Sequence, residues 1–307
     1  MDYYVQHRTI PSMGFTPDAA YPLIFAEKGN LWSEISFPVE DSPILSIHGG
    51  EAFNAVPAEA VFVFDGKRVD AAKLEASIDP ADTVGYETKV TTEADGNVRL
   101  WVQGLAAHGS TPQIGVNAVV SGVKIVSRFL NGKTDALITF VHDLIGRETG
   151  GESLGLAAQD DESGSLTLNL GMIRYGAEER KICIDIRYPV TLTLDEMKAR
   201  YKKMVASHGL NARIVSSAMP HYVPRDSVVV SRLMDVYRTV TEEREAEPFA
   251  IGGGTYAKKF GGNFVAFGPE FPCDESMNIH NFDEHFIIDA FKRHLVISTL
   301  AMYLLAA

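Results

Sequence analysis

Leu166-Thr167-Leu168-Asn169-Leu170-Gly171-Met172, a turn at Gly176, and Ile182-Cys183-Ile184-Asp185-Ile186-Arg187 decide how this chain begins to fold. Leu166, Leu168, Leu170 and Met172 alternate with other residues, and Ile182, Ile184 and Ile186 alternate back. Successive strand side chains point to opposite faces, so each run has one apolar face and the pair reads as a hairpin. Arg187 falls on the other face, either solvated or pointed into a cleft. Thr193 to Glu196 is a capping box that opens a helix ending near Gly209. The same order stands upstream. Asp95-Gly96 is a hairpin-turn signal before the alternating Val98-Arg99-Leu100-Trp101-Val102. After a Gly/Ser/Pro loop, Val116, Val119, Val120, Val123 and Phe129 give residues 116–131 helical periodicity, with Gly132 at the end. Hairpin then helix, twice, predicts an α+β domain of two similar halves.

From about Pro224 the pattern changes. A helix over Ser227–Glu245 leads to a strand at Pro248–Ile251, then Gly252-Gly253-Gly254, a strand around Asn263–Phe267, a loop, and a terminal helix. Strand, glycine turn, helix, strand is the order of a parallel α/β sheet. Residues 1–30 are turn-rich, with Pro11, Gly14, Pro17 and Pro22 ahead of the apolar run Leu23-Ile24-Phe25-Ala26. A parallel sheet needs both faces covered, and only a few of its strands are visible, so this α/β part reads as incomplete.

The 307 residues are 46% hydrophobic and 22% charged, an ordinary globular composition, and carry a formal charge of −12. That sign disfavours nucleic acid and anionic lipid as partners. Two cysteines, Cys183 and Cys273, make no disulfide framework and suit a cytoplasmic location. The opening Met1-Asp2-Tyr3-Tyr4 lacks the features of a signal peptide. Phe286 to Leu305 is the most apolar stretch, but Asp289, Lys292, Arg293 and His294 mark it as an amphipathic helix.

Several motifs carry candidate chemistry. Gly252, Gly254 and Ala257 match the Gly-x-Gly-x-x-Ala dinucleotide fingerprint. Asp274 has the spacing of the acidic partner but follows Pro272 in a loop, so a tight turn exposing backbone N–H groups is the plainer reading. His280 stands in Asn278-Ile279-His280-Asn281-Phe282-Asp283-Glu284. There Asn281 and Glu284 form a capping box for the last helix, and Asp283 or Glu284 could orient the imidazole behind a metal. Asp18, after Pro17, is locally a turn residue. His108 is presented by a loop made rigid by Gly109, Pro112 and Gly115. Asn54 reads as a turn asparagine. No His-x-Glu-x-x-His or His-x-Asp occurs, and spacing alone defines no metal site.

Taken in order, Phe15-Thr16-Pro17-Asp18-Ala19, Gly49-Gly50 with Asn54 and Val56-Pro57, Ala107-His108-Gly109 with Pro112 and Gly115-x-Asn117-Ala118, Asp185-x-Arg187, Gly252-Gly253-Gly254-Thr255-Tyr256-Ala257, and His280 with Glu284 resemble PepV-type zinc-dependent dipeptidases. These belong to the superfamily of carnosinases, aminoacylases and succinyl-diaminopimelate desuccinylases. The resemblance implies an α/β catalytic domain, here residues 1–30 and 224–307 and lacking its N-terminal half, interrupted by a lid at 31–223. It implies two zinc ions, with manganese as a substitute, and Asp18 and His280 as ligands, one to each. It also implies an oxyanion-stabilising role for His108. Asn54, Arg187 and backbone N–H groups near Gly253 and Gly254 would hold the C-terminal carboxylate of a dipeptide, in a complete enzyme that works as a monomer. A complete member carries a His-x-Asp, a bridging aspartate and a Glu-Glu pair ahead of the Asp18 motif. None is matched here, so the general base is absent and the chain reads as a truncated fragment, inactive alone unless a separate chain supplies the rest. The rival readings are a non-catalytic peptide-binding remnant and a dinucleotide-binding oxidoreductase.

Overall fold

The computed structural model describes residues 1–79, 85–272 and 283–307. The chain forms two compact units, residues 30–159 with 164–218, and residues 1–29 with 160–163 and 219–307.

The first of these is built on one eight-stranded sheet. In spatial order its strands are Asn211–Ala218, Gly29–Ser36, Arg180–Tyr188, Thr167–Tyr175, Ile44–Gly49, Glu59–Phe64, Val98–Gln103 and Glu87–Thr92. The two hairpins read from sequence lie within it: Thr167–Tyr175 pairs antiparallel with Arg180–Tyr188, and Glu87–Thr92 with Val98–Gln103. The helices Ala118–Phe129 and Leu194–Ser207 bury their apolar residues in the same core as the strands, with Val119, Val123, Met197 and Tyr201 alongside Phe62, Leu100, Ile184 and Ile186. Both helices begin on a side-chain cap. Asn117 Oδ1 accepts the N–H groups of Val119 and Val120, and Thr193 and Glu196 form the full reciprocal box. Gly122 lets helix and sheet meet closely, because a β-carbon there would lie 2.1 Å from the Phe62 ring.

Alternation left the polar face of Arg180–Tyr188 either solvated or turned into a cleft, and it is not solvated: all but one of the strand's residues are buried, on both faces. The alternation marks apolar against polar chemistry, not inside against outside. The loops at 52–55 and 108–111 lie over the polar face, as the hydrogen bonds below show.

The other unit has a small mixed sheet instead of a parallel one. Gly14–Thr16 runs parallel to Phe264–Ala266, and Ile24–Glu27 parallel to Phe249–Ile251. Ile24–Glu27 pairs antiparallel with Phe264–Ala266 and with His221–Tyr222. Strand direction is set by connections outside any local pattern, so the sequence could not display it. Ser227 caps the helix Val228–Thr241. That helix stops at Glu242, whose backbone is left-handed (φ 63°), and so ends short of the expected Glu245. The terminal helix is Ile288–Ala306 and packs against Val228–Thr241. It starts after Ile287 with no side-chain cap, so Glu284 lies ahead of it and does not cap it; Asn281 lies outside the described residues. A short first helix, Asp2–His7, was not foreseen. Tyr21 anchors this core, its ring against Tyr237, Phe267 and Phe271 and its hydroxyl 2.9 Å from His294 Nδ1. Among the described residues, no helix is long and apolar enough to cross a membrane.

Candidate functional site

Within the eight-stranded unit, three segments far apart in sequence meet on the polar face of the sheet. Asp185 and Arg187 are two apart on one strand and therefore share a face. Arg187 donates from Nε to Asp185 Oδ1 at 2.7 Å and from Nη2 to Oδ2 at 2.8 Å, a bidentate fork buried at 5% and 0% exposure. Burial raises the Asp185 carboxyl above its ordinary range, opposed by the bonds and charge of Arg187. The buried indole N–H of Trp32 also favours the Asp185 anion, although it falls short of a well-formed hydrogen bond. Trp32 stacks on Phe53, ring centroids 5.3 Å apart.

The loops are stitched to this pair by backbone. Asn169, opposite Asp185 in the hairpin, donates from Nδ2 to the carbonyls of Phe53 and Ala55 at 3.0 and 2.9 Å. Gly109 N–H donates to the carbonyl of Asn54 at 2.7 Å, and Ala55 bridges His108. Glycine is required at 109, since a β-carbon would lie 2.8 Å from Asp185 Oδ2 and 2.9 Å from the Asn54 backbone. Asn54, His108 and the Asp185–Arg187 pair are thus brought together. The exposed His108 ring has Nδ1 2.7 Å from Ser110 Oγ and accepts the Ser110 N–H at 3.2 Å. An accepting Nδ1 puts the proton of the neutral ring on Nε2.

The glycine turn belongs to the other unit, and two carboxylates hold its far end. Glu27, 1% exposed, accepts both the N–H (2.9 Å) and the hydroxyl (2.5 Å) of Thr255. Asp18 Oδ2 accepts the N–H of Tyr256 at 2.7 Å. Lys258 Nζ lies 4.0 Å from Glu27 and donates to the Lys28 carbonyl at 2.9 Å. Sequence reasoning missed Glu27, Asn169 and Trp32. Asp185 was visible in the Asp-x-Arg spacing, where two residues on one strand face can pair.

The expected zinc finds no set of ligands in what is described. No group of three or more His, Cys, Asp or Glu side chains that could hold a metal is present among the described residues. Asp18 stands apart from any such group and spends one oxygen on a backbone N–H. His280 lies outside the described residues. Asp283, with a left-handed backbone, and Glu284 are exposed. The described residues do not fit a metal centre by themselves. The dinucleotide reading fares no better: Thr255 and Tyr256 give their N–H groups to carboxylates, and the helix that follows, Ala257–Phe260, has four residues.

No family model matches the chain. It is 31% identical over 314 residues to "Putative dipeptidase YtjP" of Bacillus subtilis, across 100% of this chain and 66% of that protein. It is 32% identical over 294 residues to a Staphylococcus saprophyticus protein also named a "Putative dipeptidase", across 92% of this chain and 61% of that protein. Among solved structures, an M20 family metallo-carboxypeptidase of Sulfolobus solfataricus aligns over 98% of this chain and 64% of that one at 13% identity, with a TM-score of 0.44. The chain spans less than two thirds of the length of the relatives it matches. Along nearly all of its own length, and with the ordered motifs given above, the chain is similar to relatives named putative dipeptidases.

Proposed function

We propose that this chain is the substrate-holding portion of a metal-dependent dipeptidase. The observation that carries the reading is the convergence of Asn54, His108 and the Asp185–Arg187 fork through the bonds of Asn169 and Gly109. Arg187, oriented by Asp185, and Asn54 hold the C-terminal carboxylate of a dipeptide; in the other unit, taken by itself, the N–H groups of Gly253 and Gly254 are donors for a peptide carboxylate. His108 donates from Nε2 to the oxygen of the scissile carbonyl as charge gathers on it, an interaction worth roughly 3–4 kcal/mol in comparable sites. In this reading the eight-stranded unit is a lid of two hairpin–helix halves, and the enzyme is cytoplasmic and monomeric. Asp18 and His280 are two of the ligands of a two-zinc or manganese site. The remaining ligands and the general base come from sequence matched nowhere in this chain, and no chemical step is assigned to the metal. A non-catalytic peptide-binding role is the second reading, favoured by the absence of a ligand group among the described residues.

The test is a calorimetric titration of the chain with Ala-Ala and with Ala-Ala amide. Carboxylate recognition predicts that the amide binds at least tenfold more weakly, consistent with loss of a charge-assisted bond of about 1.5–3 kcal/mol. Arg187→Lys should erase that preference, because an ammonium cannot reproduce the fork. Equal affinities for the two peptides would overturn the reading.

A further inference from the structure

The fold itself does not explain why residues 253 and 254 are glycines. Neither has a positive φ. A β-carbon at Gly253 would meet only Ile251 Cδ1 at 3.6 Å, and one at Gly254 only Glu27 and Lys258 at 3.8 Å, all ordinary contacts. Among the described residues, the N–H groups of Gly253 and Gly254 have no hydrogen-bond acceptor, whereas those of the next two residues, Thr255 and Tyr256, are both taken. Glycine that packing does not require, next to unspent N–H donors, is the arrangement that admits close approach of an anion to backbone. Something must then keep that short segment in one shape. Glu27 is placed to do so: it is buried in the Ile24–Glu27 strand, and its two oxygens take the two donors of Thr255, immediately after the turn.

We propose that Glu27 is a positioning residue, acting through Thr255 to keep the Gly253 and Gly254 N–H groups aimed at the carboxylate of a bound peptide. The inference rests on the reading that the turn takes that carboxylate. Lys258 Nζ lies 4.0 Å from Glu27, on the same carboxylate that takes the Thr255 donors. In Glu27→Gln one oxygen becomes an amide nitrogen, so Thr255 loses one of its two acceptors while the side-chain volume is kept.

The experiment follows the Gly253 and Gly254 amide resonances of the isotopically labelled full chain during titration with Ala-Ala, alongside thermal unfolding. In the native chain both resonances should shift saturably. Glu27→Gln and Thr255→Val should weaken that binding about tenfold, whereas Thr255→Ser, which keeps both donors, should restore native affinity. Gly253→Ala should leave the melting temperature unchanged and weaken binding. Native shifts with unchanged affinity in Glu27→Gln and Thr255→Val would overturn the positioning role alone, even if their melting temperatures fell. No saturable shift in the native chain would remove the carboxylate reading of the turn, and the positioning role with it.

Discussion

Replacing Arg187 by lysine is a sharp probe of the candidate site, because charge is conserved and geometry is not. Arginine fills both oxygens of Asp185, at 2.7 and 2.8 Å, inside a region where neither residue is more than 5% exposed. An ammonium reaches one of those oxygens well, so Arg187→Lys leaves one charge-assisted bond unmade, a loss of roughly 1.5–3 kcal/mol. Arg187→Ala leaves the buried carboxylate with no countercharge and should cost more, about 3–5 kcal/mol. At about 2 kcal/mol the lysine variant would lower the folded-to-unfolded ratio roughly thirtyfold. Urea unfolding of each variant at neutral pH measures it, read as a shift in midpoint at unchanged slope. The sign of the pH dependence follows from Asp185. Burial already holds its folded pKa above the ordinary value, so its ionisation costs stability as pH rises through that range. Weakening the partner raises the folded pKa further, so the gap between native and Arg187→Lys should narrow as acid protonates Asp185 in both. A lysine variant within 0.5 kcal/mol of native, an order-of-magnitude threshold below any charge-assisted bond, would refute the claim that the fork is what holds this site.

Other outcomes follow from other buried groups. Asp135 takes the N–H groups of Leu137 and Ile138, accepts the Tyr175 hydroxyl and lies 3.2 Å from Arg180; Asp135→Asn strands the buried guanidinium and should cost about 3–5 kcal/mol in urea unfolding. His294, buried beside Tyr21, has its pKa lowered by desolvation, so the unfolded chain protonates first; stability from this group should be full above about pH 6.5 and fall below it, while His294→Phe should flatten that limb of the pH profile. Ile288, Phe291, Leu295, Leu300, Met302 and Tyr303 of the terminal helix are exposed; the chain should bind a hydrophobic dye or self-associate in ultracentrifugation, and Leu295→Lys with Leu300→Lys should suppress both.

Much of the eight-stranded unit was legible because its signals are local. Alternation at Leu166–Met172 and Ile182–Ile186 marked a hairpin, and the Thr193–Glu196 box marked a helix start within one residue of Leu194. Where local signals compete with tertiary contacts, reading failed. Glu242 adopts a left-handed backbone that ends its helix early, and the direction of Phe264–Ala266 against Ile24–Glu27 depends on chain connections that no window of sequence contains. The site was legible only by its ordered motifs. Asn54, His108 and Arg187 meet through sheet register and through Asn169, which carries no local sign of its task. Glu27 was hidden for a similar reason: its partner Thr255 is 228 residues away in sequence.

The measurement that bears most directly on the dipeptidase reading is zinc-dependent hydrolysis of Ala-Ala, made on the purified chain and on the chain co-expressed with the segment that its longer relatives carry beyond the match. The chain alone should give no hydrolysis, because the general base and the remaining metal ligands that the resemblance calls for are matched nowhere in its sequence, and zinc chemistry needs three protein ligands or more. The completed protein should cleave the dipeptide, lose activity to a chelator, and lose it again in Asp18→Ala and His280→Ala. Chelator-sensitive cleavage by the chain alone, or none by the completed protein, would contradict the account.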